Sequence, residues 1–139
     1  MVDKYYIDSA IWRDLHENRT DKFRPLGDWA FELFRKIREN KEKALYSDLV
    51  VDELSKDFDK ETITNIVSIM SNEGLLEKVE IKERQIKEAV KLKKNLKIPF
   101  GDALHTILAK DNNAIMVTRD HHFEEVQNIV DIKKPEDLI

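Results

Sequence analysis

Two short apolar runs limit the folds open to this chain. Tyr5-Tyr6-Ile7 near the start and Ala114-Ile115-Met116-Val117 near the end are apolar at every position, without the alternation of a half-exposed strand. Such brief, unbroken runs suit strands covered on both faces, as in a parallel sheet. The stretches between them carry apolar residues at helical spacing. Strands separated by helices imply a parallel sheet with helices on both sides. The expected fold class is therefore α/β: a three-layer sandwich around a short, mostly parallel central sheet of four or five strands.

The first strand is expected over residues 4–8, followed by a helix capped by Ser9 and running to about residue 17, with Ile11, Trp12 and Leu15 inward. A second helix is expected over 25–41, where Trp29, Leu33 and Ile37 form one stripe that Ala30 and Phe34 widen. A short strand over 44–47 leads to a third helix over 48–58 with Ser47 as its cap. A fourth helix over 60–72 turns Ile63, Ile66, Val67 and Met70 inward, with Gly74 in the C-terminal stop position. Residues 75–81 are expected to be extended, and 82–97 form a charged helix with Ile86, Ala89, Val90 and Leu96 on its stripe. Pro99 and Gly101 break the chain before a helix over 102–111. A strand over 114–118, a polar turn over 119–122, a short helix and a last strand near 129–132 complete the chain. The 139 residues form one domain, 1–139, with a single core.

The chain has no cysteine, which excludes disulfides, thiolate zinc sites and thiol nucleophiles. No apolar run approaches the roughly 18 residues of a membrane span. The start, Met1-Val2-Asp3-Lys4-Tyr5, lacks the apolar stretch of a signal peptide. A cytoplasmic protein with no membrane partner is expected. A net charge of −4 argues against coating nucleic acid by bulk electrostatics. It is compatible with a nuclease, whose acidic metal site contributes negative charge.

In open parallel sheets the functional crevice lies beyond the carboxyl ends of the strands. Asp8 closes the first strand, and Asp120 stands two residues past Thr118 at the end of the clearest later strand. Topology alone thus sends both carboxylates to one edge. Taken singly, each is as well explained as a cap or turn former. Glu53 follows Leu49 and Val50 on its helix and so borders the apolar face, where a rim glutamate is the plain alternative. Asp102 sits in the first turn of its helix, a position the helix dipole favours in any case. The set carries more weight than any member. Two unit charges 4 Å apart cost on the order of 4 kcal/mol at an effective dielectric near 20, so gathered acids call for a cation or a shared proton. Oxygen-only ligands suit Mg²⁺ or Mn²⁺.

Tyr5-Tyr6-Ile7-Asp8-Ser9, Ser47 through Asp52-Glu53-Leu54, Gly101-Asp102-Ala103-Leu104-His105 and Val117-Thr118-Arg119-Asp120-His121-His122-Phe123 follow one another in this order. Together they resemble the motifs of PIN-domain nucleases, closest to VapC-type toxins, over essentially the whole chain. The resemblance implies a PIN-like fold, with Asp8, Glu53, Asp102 and Asp120 as catalytic metal-binding acids. Ser9 matches the hydroxyl residue after the first acid and Thr118 the one before the last. Ala10 stands where many members carry Asn or Ser, and His122 where many carry a further Asp. The activity implied is hydrolysis of RNA phosphodiester bonds by a Mg²⁺- or Mn²⁺-dependent endoribonuclease, leaving 5′-phosphate and 3′-hydroxyl ends. The implied role is the toxin of a toxin–antitoxin pair, with a small antitoxin protein as partner.

Several residues carry weaker expectations. Arg119 is a candidate RNA phosphate contact. His105 lies three residues after Asp102 on the same helical side and could reach the site, although a packing role is the simpler reading. His121 and His122 flank Asp120, but adjacent residues seldom face one site. Lys91, Lys93, Lys94 and Lys97 form one basic segment, and Arg35, Lys36, Arg38, Lys41 and Lys43 another; both read as solvated helix faces or as tracks for RNA phosphates. Trp29, Phe31 and Phe34 exceed what one core stripe needs, which suggests a homodimer through the early helices. Competing functions are a housekeeping RNA-processing PIN nuclease, a catalytically silent PIN domain that binds partners, and a receiver-like phosphorylated domain. The last lacks its phosphoacceptor, because the second strand ends Tyr46-Ser47.

Overall fold

A computed structural model describes residues 3–71 and 74–139. In chain order the elements are β1 (Lys4–Ile7), α1 (Ser9–Glu17), α2 (Leu26–Glu39), β2 (Lys43–Tyr46), α3 (Asp48–Leu54), α4 (Lys60–Ser71), β3 (Leu76–Lys78), α5 (Glu83–Leu96), α6 (Phe100–Asp111), β4 (Ile115–Val117), a 3₁₀ turn (His121–Val126), β5 (Ile132–Lys133) and α7 (Pro135–Leu138). The five strands form one sheet in the order β3-β2-β1-β4-β5, and every pairing is parallel. This is the α/β sandwich expected from the strand runs. No helix among the described residues is long and apolar enough to cross a membrane.

β1 lies at the centre, paired with β2 on one side and β4 on the other. Its Tyr5, Tyr6 and Ile7 are buried on both faces, the physical reason for three consecutive apolar residues. From β1 the chain builds outward to β2 and β3, then crosses to β4 and β5. The strand order therefore reverses beside β1, and a crevice opens there beyond the carboxyl ends of β1 and β4.

Several local expectations shift for identifiable reasons. Asp8, not Ser9, holds the cap position of α1, with extended backbone (φ −63°, ψ 149°), which leaves the Ser9 hydroxyl for other partners. α6 starts at Phe100 behind Pro99, so Gly101 lies inside its first turn and does not break the chain. A Cβ at Gly101 would stand 3.4 Å from Glu53 Oε2, so the first turn of α6 lies at ordinary contact distance from that carboxylate. α3 ends at Leu54, and the Leu54 carbonyl accepts from the Phe58 N–H in the following turn (3.0 Å). The expected end of the fourth helix, Asn72, lies outside the described residues; Gly74 takes the left-handed conformation (φ 69°) that favours glycine. The last strand forms at Ile132–Lys133, because the Ile129 and Val130 N–H groups bond back to Val126 O and close the 3₁₀ turn. α7 was not expected: four residues show no periodicity, and Pro135 at its first turn was the only signal.

The three aromatics of α2 divide between core and surface. Phe34 packs against Trp12 in the core, ring centroids 4.7 Å apart. Trp29 is half-buried beneath the Arg119 guanidinium, 5.3 Å from its ring centroid. Phe31 alone of the three is exposed.

Arg119, a candidate phosphate contact by sequence, is engaged inside the protein in this structure. Its side chain is only 14% exposed and forms ion pairs with Glu136 of α7 (2.8 Å) and Asp14 of α1 (3.5 Å). The guanidinium thus ties the loop leaving β4 to α1, α2 and α7. Burial raises the Asp14 carboxyl above its ordinary range, and Arg119 and Arg19 oppose that rise. Removing the arginine would leave a buried carboxylate short of its partner, a loss that usually exceeds the net worth of the pair. Arg119→Ala should lower unfolding stability by about 3 kcal/mol in urea melts. A loss under about 0.5 kcal/mol would mean that the cluster behaves as an ordinary surface pair.

Candidate metal centre

The crevice beside β1 receives side chains from four elements. Asp8 follows β1 directly, and its backbone N–H donates to Val117 O of β4 (3.0 Å), which fixes the residue at the sheet edge. Its side chain is buried. The Thr118 hydroxyl donates to Asp8 Oδ2 at 2.8 Å, and the Ser9 hydroxyl lies 3.4 Å from Oδ1. The same Thr118 oxygen accepts from the Asp120 N–H at 3.1 Å. One hydroxyl therefore couples the acid after β1 to the acid after β4.

Glu53 enters from α3. Its Oε1 accepts from the Ser9 hydroxyl (3.0 Å) and lies 2.8 Å from His105 Nε2. His105 comes from α6 and is 1% exposed. Its other ring nitrogen, Nδ1, lies 2.8 Å from the Tyr6 hydroxyl, which in turn lies 2.7 Å from the Ser47 hydroxyl. Burial disfavours charge on His105, but Glu53 and the charges of Asp8 and Asp102 outweigh it and raise the imidazole above its ordinary range. Burial would raise Glu53, yet the hydrogen bond and charge of His105 hold it below the usual carboxylate range. Both shifts favour an ion pair in which both ring nitrogens donate, Nε2 to Glu53 and Nδ1 to Tyr6, with Tyr6 donating to Ser47.

Asp102 and Asp120 form the other half of the site. Asp102 lies in the first turn of α6 and is pushed up to about 6, by burial first and then by repulsion from Asp120 and Asp8. Its Oδ2 is shielded from solvent and has no hydrogen-bond partner among the described residues. Asp120 accepts the His122 N–H at 2.9 Å and so caps the 3₁₀ turn. His122 Nδ1 lies 3.2 Å from Asp102 Oδ2 and 3.1 Å from Asp120 Oδ1. His121 is exposed, 3.8 Å from Asp120.

The four acids thus meet the crevice in two adjoining trios, Asp8–Glu53–His105 and Asp102–Asp120–His122. Within each trio the donor atoms lie inside 4.8 Å of one another. Burial also raises Asp8, with Glu53 repulsion adding to it, while His105 and Thr118 oppose the rise. Both histidines lie deeper in the site than sequence reasoning placed them. The i, i+3 spacing of Asp102 and His105 was the available signal for one. Nothing in the sequence marked the hydroxyls of Tyr6 and Ser47, which read as core and cap.

The PIN domain family model matches residues 5–129. No curated protein matches the chain significantly. Among solved structures, VapBC2 from Rickettsia felis, bound to a DNA fragment from its promoter, aligns with TM-score 0.69 at 20% identity over 94% of this chain and 98% of that one. VapBC-1 from nontypeable Haemophilus influenzae gives TM-score 0.67 at 16% identity, covering 96% and 98%. PAE2754 from Pyrobaculum aerophilum gives 0.66 at 16% identity, covering 99% and 93%. At such identities the likeness concerns the fold, and the family match rests on the sequence itself. With its all-parallel five-stranded sheet and a match spanning nearly its whole length, the chain belongs to the PIN domain family.

Proposed function

We propose that this PIN domain is a divalent-metal-dependent endoribonuclease and the toxin of a VapBC-type toxin–antitoxin pair. The observation that carries the reading is Asp102 Oδ2, a buried carboxylate oxygen without a hydrogen bond beside two further acids. Such a group is costly unless a cation completes it. The donor set fits a divalent ion: carboxylate oxygens from Asp8, Glu53, Asp102 and Asp120, with the His122 imidazole nitrogen within reach of the last two. A divalent ion bound there supplies Lewis-acid activation of water and neutralises charge on the scissile phosphate.

The remaining work falls to the chain. Thr118 and Ser9 hold the carboxylates of Asp8 and Glu53 in fixed orientation. His105 locks Glu53 from behind through the Tyr6–Ser47 hydroxyl pair. Lys91, Lys93, Lys94 and Lys97, exposed on and just after α5, offer phosphate contacts to an extended RNA. Arg35 of the other basic segment is paired with Glu32 and Glu39 and suits a structural role better. The toxin reading draws on the neighbouring folds, which come from VapBC complexes. An antitoxin is the partner proposed, and any self-association would use the exposed Phe31 and Ile69.

Pure protein incubated with a broad RNA panel should cleave in Mg²⁺ or Mn²⁺ and stop in EDTA. Cleavage that continues unchanged in EDTA would contradict the mechanism. Stability should report the same site. Because the folded Asp102 carboxyl titrates near 6, above its ordinary 3.8, the native state holds its proton more tightly than the unfolded chain does. This group's contribution to metal-free stability therefore falls as pH rises from about 4 to about 6. At pH 7 without metal, Asp102→Asn should stabilise the fold by up to about 2–3 kcal/mol. Millimolar Mn²⁺ should reverse the order, stabilising wild type far more than the variant. Equal metal-induced shifts in thermal melts of the two proteins would remove Asp102 from the site.

A further inference from the structure

We infer that His122 is itself a ligand of the divalent ion held by Asp102 and Asp120, and that its imidazole turns the site toward Mn²⁺ or Co²⁺ and away from Mg²⁺. The inference rests on the metal-dependent reading above. Three facts about His122 support it. Its Nδ1 is shielded from solvent, although the ring as a whole is partly exposed. That nitrogen forms no hydrogen bond among the described residues, despite carboxylate oxygens at 3.2 and 3.1 Å. The backbone N–H of the same residue is bonded to Asp120, which holds the side chain over the crevice.

Oxygens so close that accept no hydrogen bond must lie off the in-plane axis of the nitrogen. Adjacent ligands of an octahedral ion have that arrangement: with ligand distances of about 2.1 Å, neighbouring donor atoms stand about 3.0 Å apart and off each other's lone-pair axes. Asp102 Oδ2 has the same unpaired, shielded character. Two buried donor atoms without partners, 3.2 Å apart, lack a common positive centre.

The alternative is that a protonated His122 serves as the built-in counter-cation of the two acids. The two roles predict opposite effects of removing the ring. A ligand lost weakens metal binding, whereas a competing cation lost strengthens it. Ligand type then sets selectivity. Mg²⁺ favours an all-oxygen shell, while borderline nitrogen donors gain more with Mn²⁺ and Co²⁺. An aspartate at this position would make the local donor set all oxygen.

The test is calorimetric titration of metal-free protein with MnCl₂ and MgCl₂, together with pulsed EPR of the Mn²⁺ complex, for wild type, His122→Ala and His122→Asp. Thermal melts would check that each variant folds, which the partial exposure of the ring favours. Wild type should show a ¹⁴N coupling to Mn²⁺ that His122→Ala abolishes. The alanine variant should bind Mn²⁺ roughly tenfold or more weakly, and His122→Asp should lower the preference for Mn²⁺ over Mg²⁺ by a similar factor. Equal or tighter Mn²⁺ binding by His122→Ala, or a ¹⁴N coupling that survives in it, would overturn the inference and leave the metal-dependent reading standing. A wild type that binds neither ion would overturn both.

Discussion

The crowding of Asp102 by Asp120 and Asp8, and of Asp8 by Glu53, is the constraint around which this molecule is arranged. Each pair of unit charges at contact range costs on the order of 4 kcal/mol at an effective dielectric near 20, a sizeable share of a domain's usual net stability. The chain nevertheless brings them together beside its most buried strand. Burial first, and then repulsion from Asp120 and Asp8, holds Asp102 near 6, while burial and Glu53 repulsion raise Asp8. Hydroxyls, one imidazole and one backbone amide offset part of the strain: Thr118 on Asp8, Ser9 and His105 on Glu53, and the His122 backbone N–H on Asp120. Asp102 Oδ2 receives nothing comparable from the described residues.

The fold supplies the rigidity that such crowding needs. β1 is buried on both faces and anchors Asp8 through a sheet bond to β4. Thr118 then transmits that position to Asp120 through two hydrogen bonds of one hydroxyl. Arg119, between them in sequence, points its charge into the Asp14–Glu136 cluster and fastens the same loop from behind. Alternate residues of a single short segment thus serve the site and the scaffold.

The parallel sheet and the edge carrying Asp8 and Asp120 were legible in the sequence, because unbroken apolar runs ending near acids carry both signals at once. Glu53 was legible only as a border residue, since its partners come from residues 9 and 105, remote along the chain. The Tyr6–Ser47–His105 network was hidden, because a tyrosine inside an apolar run reads as core and a serine before a helix reads as a cap. Structure sends both hydroxyls elsewhere. The ion pairs of Arg119 were hidden for a related reason: its partners, Asp14 and Glu136, belong to α1 and to a helix too short to be expected. The identity of a neighbour, more than the residue's own type, decided which of these side chains faced the crevice.

The central claim is that the buried acids beside β1 exist to hold a divalent ion. Anomalous diffraction from crystals soaked in Mn²⁺ tests it most directly. The account predicts a peak in direct contact with carboxylate oxygens of Asp102 and Asp120 or of Asp8 and Glu53, with Asp102 Oδ2 drawn into coordination. Density showing those carboxylates joined to one another through shared protons at saturating Mn²⁺, with no anomalous peak in the crevice, would contradict it.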